Sequence, residues 1–472
     1  MLIDVNYSFS LYLLSCGQER SSEFFQEEGQ DKEDDSKSKK TDAAIREQSL
    51  KSFFSRPYFS EIFMKIRVLH AFASSLPYLS GYAIRSHKIL KYQKYFCDPI
   101  AITSPYYDCY NSIEKIDGII YYRSTKSVLS KIIDFLKIPL FRNISIERDF
   151  EKQLRKLIKE FKPDIIHAHS SHHVGICGYK VARQFKIPFV YEMRGLWEDT
   201  RVAKGELKED SFRYKYNKNR ETFLAANADR VFVISENLRE DLVKRGISFE
   251  KITVIPNGVD RHDFSPSYKN NLRIKHNLQG SVILGYIGSL SKYESLDLLL
   301  EVMSHFVNRK KMVKGLIVGY GPEFNNLIQL SNKLGIQDNI RFTGRISPNA
   351  VREYYSLIDI FILTRCSGRE VNLVTPLKPF EAMEAGNCLL LSDLPALKEI
   401  IEDNVTGLLY KESDKYDLIS KCELLIEDDS LRRRLGKAAR TWVLENRRWD
   451  SVVRKYLPHY NRLLNRKSYF DR

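Results

Sequence analysis

A chain of 472 residues exceeds what one hydrophobic core usually supports, so two folded domains are expected. Hydrophobic residues make up 43% and aromatics 12%, enough to fill both, and every apolar run stops well short of a membrane-spanning length. The formal net charge of +15 calls for an anionic partner, which nucleic acid, lipid headgroups or a soluble substrate would each satisfy.

Residues 1–63 read as an extension outside the folds. The first fourteen are mildly apolar without a basic start, a poor signal peptide. Residues 21–49 are dense in Glu, Asp, Lys, Ser and Gln, a disordered composition. At Met64 the run MKIRVLHAF reads as an opening buried strand, so the true start is expected near Met64 and the preceding stretch is expected to be dispensable. Strands are then predicted at 99–103, 118–123, 163–169, 189–192 and 230–234, with helices over 145–161, 175–185, 214–225 and 236–245. Short apolar runs between helical patterns indicate a parallel, doubly wound sheet. Residues 254–260, VIPNGVD, close this half, and the polar stretch 261–279 reads as a link.

The second half repeats the logic. Strands at 282–287, 315–318, 340–343, 358–363 and 388–393 alternate with helices at 296–306, 323–334 and 349–357, and 431–464 reads as helix with Trp442 and Trp449 as packing anchors. The fold class is therefore α/β, with two Rossmann-like parallel-sheet domains facing a cleft, the first over 64–262 and the second over 263–444. Residues 445–472 are expected to pack back towards the first domain.

Residues 374–386, VTPLKPFEAMEAG, carry the strongest local signal. Pro379 suits the start of a helix, where its missing N–H costs nothing, and Gly386 suits its left-handed end. Lys378 then stands at the helix N-terminus and Glu381 in the first turn. Backbone N–H groups, the dipole and an ammonium converge on an anion, beside a carboxylate that can hold hydroxyls. A phosphate joined to a sugar wants both.

The motifs 254–260, GYIG at 285–288, VGYGP at 318–322, RFTG at 341–344 and EAMEAG at 381–386 together resemble retaining glycosyltransferases of family 4. The resemblance implies the GT-B architecture, with the second domain holding a nucleotide-sugar donor and the first an acceptor. The patterns around His70 to Arg85, YEMRGLWED at 191–199 and TPLKP at 375–379 resemble the subgroup found with bacterial exopolysaccharide and exosortase systems. Two departures stand out. Glu381 matches the glutamate that holds the donor ribose, but its usual partner position is Leu373, with Asn372 or Glu370 as substitutes. The two positions that usually carry diphosphate cations are Ser289 and Glu294.

Lys378 is the leading replacement for those cations. Arg365 and Arg369 are read either as loop surface or as further phosphate contacts, Arg offering a bidentate fork. Gly81 admits close backbone approach, Arg85 adds charge, and Gly288, Ser289, Pro376 and Leu377 complete the expected donor site. On the acceptor side His169 and Arg194 are catalytic candidates, while His167, His169 and the Glu192–Asp199 cluster read equally well as structure. The resemblance implies a metal-independent, retaining transfer to a surface-polysaccharide or lipid-linked glycan, with a nucleotide-sugar epimerase or a silent scaffold subunit as alternatives. No cofactor and no metal are expected. Neither RNA-binding aromatic motifs nor Cys/His finger spacings occur, so nucleic acid is not an expected partner. Residues 64–165 hold 18 Lys/Arg against 10 Asp/Glu, which favours peripheral contact with an anionic membrane. Seven dispersed cysteines without a CxxC pair point to a reduced, cytoplasmic setting, and the basic excess to peripheral placement on the inner face of the plasma membrane.

Overall fold

In the computed structural model, residues 65–106, 111–136, 139–262 and 266–470 are described, and the expectations for 1–63 lie outside them. The apolar runs form strands buried on both faces, as a parallel sheet covered by helices requires. Eight strands build the first sheet: β1 (Ile66–Phe72), β2 (Cys97–Thr103), β3 (Ile113–Ile116), β4 (Ile119–Arg123), β5 (Ile165–His169), β6 (Phe189–Met193), β7 (Arg230–Val233) and β8 (Ile252–Val254). Their order is β3-β4-β2-β1-β5-β6-β7-β8, parallel except for the β3–β4 hairpin. That hairpin turns on Asp117 (φ 49°) and Gly118 (φ 76°), an Asp-Gly pair suited to a tight turn with both residues left-handed.

The second sheet contains β9 (Val282–Ile287), β10 (Val313–Val318), β11 (Ile340–Phe342), β12 (Ile360–Leu363), β13 (Cys388–Ser392) and β14 (Leu408–Tyr410), all parallel in the order β11-β10-β9-β12-β13-β14. The strand order reverses at β1/β5 in one sheet and at β9/β12 in the other. Ligands of open α/β sheets sit outside the carboxyl ends at such points.

Two sequence expectations need correction. The supposed link at 261–279 contains the helix Pro266–Lys275, and Leu272 and Leu278 are buried in the second core, so most of it belongs to that half. The expected helix at 431–464 is three helices, Asp429–Asn446, Trp449–Arg454 and Leu457–Phe470. The last two cover the first sheet, where Trp449, Val452, Val453, Tyr456 and Tyr460 pack with Ile66, Val68, Ile165, Val190 and Phe232. Trp442 stays half-buried against the second core. The chain therefore crosses between halves twice, and the two crossings pair: Val259 N donates to Arg447 O at 2.7 Å and Trp449 N to Val259 O at 3.0 Å.

Candidate functional site

The segment 374–386 folds as its prolines dictate. A helix runs Lys378–Ala385 with Pro379 in its first turn, and Gly386 (φ 81°) ends it. Lys378 leads back over the end of β9. A methyl built on Gly288 would lie 2.2 Å from Lys378 Cε, so only glycine leaves room for that side chain. Lys378 Nζ donates to Tyr286 Oη and, at 2.6 Å, to Glu294 Oε1. Tyr286 in turn donates to the Ser289 carbonyl at 2.8 Å and so shapes the loop after β9.

Glu294, where the resemblance leads one to expect a lysine, is fully buried and carries the centre of the cluster. Arg365, two residues past β12, grips it with Nε at 3.2 Å and Nη2 at 2.9 Å. Burial would lift the Glu294 pKa, yet Arg365 and Lys378 hold it at about 2. Burial pushes Lys378 down to about 8, with Glu294 opposing and Arg365 assisting the fall. Two cations and one carboxylate leave one net positive charge. Glu294 thus anchors two cations, and Arg365 has its fork occupied by it.

Glu381 stands one turn along the helix from Lys378. It accepts from Tyr355 Oη at 3.0 Å, and burial raises its pKa. Ser289 is exposed at the loop tip, its hydroxyl 3.4 Å from that of Ser291. Pro376 and Leu377 are half-buried in the segment before the Lys378 helix, which the first half holds through Asn257 Nδ2 on Thr375 O at 2.9 Å. Gly81 begins the helix Gly81–Gln93, capped by Ser80, and a methyl there would make ordinary contact with Leu377 Cδ1 at 3.6 Å. Packing within the chain thus does not demand glycine at 81, which meets the donor half beside Lys378.

Two expected phosphate cations are engaged elsewhere. Arg369 joins the halves, its Nε 3.1 Å from Asp199 and its Nη2 on Asp241. Arg85 is buried, donating to Glu192 (3.1 Å), Asn257 (3.0 Å) and the carbonyls of Ile255 (2.7 Å) and Pro256 (2.8 Å). Both were legible as cations in the sequence, but their carboxylate and carbonyl partners lie more than a hundred residues away.

His169 and Arg194 do meet, in a closed ring of buried polar groups. Arg194 Nη2 donates to His169 Nδ1 at 2.6 Å, which leaves His169 Nε2–H to donate to His70 Nδ1 at 2.9 Å. His70 Nε2–H then donates to Gln93 Oε1 at 2.7 Å, and Gln93 Nε2 to Tyr460 Oη at 3.2 Å. Tyr460 donates to His167 Nδ1 at 2.7 Å, so His167 Nε2–H faces Glu192 Oε2 at 3.4 Å. Glu192 Oε1 closes the ring by accepting from Arg194 Nε at 2.7 Å. Each tautomer is assigned from its neighbours' roles. Burial keeps all three imidazoles neutral by lowering their pKa values, helped at His169 by Arg194. Nitrogens of the three rings lie within 4.8 Å of one another, a spacing compatible with metal binding. Five of the six already serve hydrogen bonds, and the sixth faces Glu192. Gln93 and Tyr460, 76 and 291 residues from His169, carry no local signal of this ring, and His70, 99 residues away, entered only through the subgroup pattern.

Comparisons with known proteins agree with this architecture. Residues 121–263 match the family described as Glycosyltransferase Family 4, and residues 269–442 match Glycosyl transferases group 1. Alpha-monoglucosyldiacylglycerol synthase of Streptococcus pneumoniae is 31% identical over 271 residues, 56% of this chain and 59% of that relative, so the match spans little more than half of the relative's length. Among solved structures, Anabaena Alr3699/HepE in complex with UDP has a TM-score of 0.66 at 17% identity, covering 84% of this chain and all of that one. Sucrose-phosphate synthase of Thermosynechococcus elongatus has a TM-score of 0.69 at 18% identity, covering 85% and 100%. These two show the shared fold. The two halves thus match glycosyltransferase family models over residues 121–263 and 269–442, and together they build the two-domain GT-B fold.

Proposed function

We propose that this protein moves a sugar, with retained anomeric configuration, from a nucleotide-sugar to a lipid-linked or surface-polysaccharide acceptor at the inner face of a membrane. One observation carries the reading: Lys378, at a helix N-terminus and over Gly288, is held by Glu294 and Tyr286 beside the ribose-type carboxylate Glu381. The similarity to a glucosyldiacylglycerol synthase supports a lipid acceptor. The exopolysaccharide-associated subgroup remains the finer placement, on the motifs around 191–199 and 375–379.

In the transfer, the anomeric C–O bond to the diphosphate breaks and a new C–O bond to the acceptor hydroxyl forms on the same face. The acceptor proton passes to the departing phosphate oxygen. Charge growing on the diphosphate is met by the Lys378 ammonium and the first N–H groups of its helix, fixed groups that need no metal ion and no reorganisation. Glu381 accepts from the ribose hydroxyls. Closure of the halves around their paired crossings excludes water.

Thermal-shift screening of uridine, guanosine and adenosine diphosphates and their sugars, followed by product analysis with a diacylglycerol glycoside acceptor, tests the reading. A stabilising nucleotide-sugar and a glycosylated product of unchanged anomeric configuration are expected. An isomerised sugar would mean an epimerase, and no stabilisation or turnover with any donor a silent subunit.

A further inference from the structure

The helix Val128–Phe135 is inside out. A surface helix of a soluble domain turns its apolar stripe inwards. Here Ser130 is buried, its hydroxyl donating to Asp149 at 2.5 Å, while Val128 (74%), Leu129 (61%), Ile132 (49%) and Phe135 (85%) are exposed. Those positions recur at i, i+1, i+4 and i+7, so they share one face. Leu136 (57%) continues it, and Phe141 (56%) and Ile144 (43%) lie in the first turns of the next helix, Pro139–Phe161, which packs against it. Isolated exposed apolar residues are ordinary, but seven within 17 residues are a patch.

Its chemistry is that of an interfacial segment. Among the described residues this stretch carries Lys126, Lys131 and Arg142 against one acid, Asp134, which pairs with Lys126 at 2.8 Å and with Arg142 at 2.6 Å and leaves a net positive charge. Lys131 is exposed on the same helix and carries the unpaired charge, while Arg142 is half-exposed on Asp134. Apolar side chains rimmed by basic ones fit the boundary between anionic headgroups and acyl chains.

Topology fixes where the patch stands. The chain leaves the carboxyl end of β4 into Val128–Phe135, and the 23-residue helix that follows returns to the amino end of β5. Both exposed stretches therefore lie towards the carboxyl edge of the first sheet, the edge that faces the cleft. Arg123, the last residue of β4, binds the carbonyl of Leu76 and the hydroxyl of Ser75, so the turn with exposed Tyr78 and Leu79 rises from the same edge.

We infer that Val128–Phe135 and the start of Pro139–Phe161 form a docking surface for an anionic phospholipid bilayer, seating the acceptor side of the cleft on the membrane. The inference deepens the proposed lipid-linked transfer but is measured without it. Full-length protein is sedimented with phosphatidylglycerol–phosphatidylcholine vesicles or with pure phosphatidylcholine vesicles, no donor present. Binding to the anionic vesicles is expected. Leu129→Gln/Phe135→Gln/Phe141→Gln should weaken it at least tenfold at an unchanged melting temperature, since these side chains are more than half exposed. Lys131→Glu should weaken binding to the anionic vesicles alone. Wild-type protein that stays in the supernatant, or a triple variant that binds as tightly as wild type, overturns the surface. So does a concentration-dependent dimer that the triple variant abolishes, which would make the face a self-association surface. Nucleotide binding by the same variants, expected to be unchanged, separates failure of the docking surface from failure of the transferase reading.

Discussion

Glu294→Gln is the most revealing single change, because it keeps shape and removes only the charge that links Lys378 to Arg365. In the wild type the Lys378 pKa lies at about 8, below the ordinary lysine value because of burial and despite Glu294. At pH about 7.5, roughly three quarters of Lys378 is then charged. Without Glu294, burial and Arg365 both act downwards, and loss of an adjacent opposite charge moves a pKa by about 1–3 units. The charged fraction at pH about 7.5 falls to about a quarter for a one-unit drop and below about 1% for three. Nucleoside diphosphate release, followed by a coupled assay across pH about 5.5–9.5, should show an alkaline limb near 8 in the wild type. In Glu294→Gln the limb should lie at least one unit lower, with activity recovering on acidification. A limb that stays near 8, with turnover at pH 7.5 unchanged or raised, would refute the linkage and make Glu294 a simple brake on the site's positive charge.

Glu381→Ala should weaken nucleotide-sugar binding by about 1.5–3 kcal/mol if the carboxylate holds the ribose hydroxyls, and calorimetry showing unchanged affinity would remove that role. Glu198 is fully buried without a hydrogen-bond partner for either oxygen, and burial with Glu221 nearby lifts its pKa to about 7. A carboxyl raised in the folded state weakens the fold as pH climbs from its unfolded value through the folded one, so Glu198→Gln should stabilise the protein by up to about 3 kcal/mol at pH 8 and by little at pH 4.5. Denaturant unfolding at both pH values checks this, and equal gains would contradict it. Tyr460→Phe breaks the buried ring between Gln93 and His167 and should cost about 1–3 kcal/mol in the same assay, against no change if the ring carries no stability.

The strands and their parallel arrangement were legible because burial on both faces leaves near-continuous apolar runs. The Lys378 helix was legible too, since Pro379 and Gly386 constrain it by local sterics. The β3–β4 hairpin had a signal that passed unread, Asp117-Gly118 between two short apolar stretches. The helix at Pro266–Lys275 gave a weak one, with few apolar residues to mark its buried side. Charge pairing left no local trace: Arg365 meets Glu294 across 71 residues, and Arg369 meets Asp199 across 170. The resemblance leads one to expect a cation at the position of Glu294, while only the fold shows that this glutamate gathers Arg365 and Lys378. The inverted helix at Val128–Phe135 was readable as apolar, but which face it turned to solvent depended on Ser130 finding Asp149.

In the proposed transfer Lys378 meets the donor diphosphate. Titration calorimetry of the stabilising nucleoside diphosphate at pH about 6.5, where the ammonium is charged, measures that contact. A charge-assisted contact of about 1.5–3 kcal/mol predicts that Lys378→Ala binds at least about tenfold more weakly than wild type, and that wild-type affinity declines as pH rises through about 8. Equal affinity of the two proteins, with no pH dependence near 8, would contradict the account.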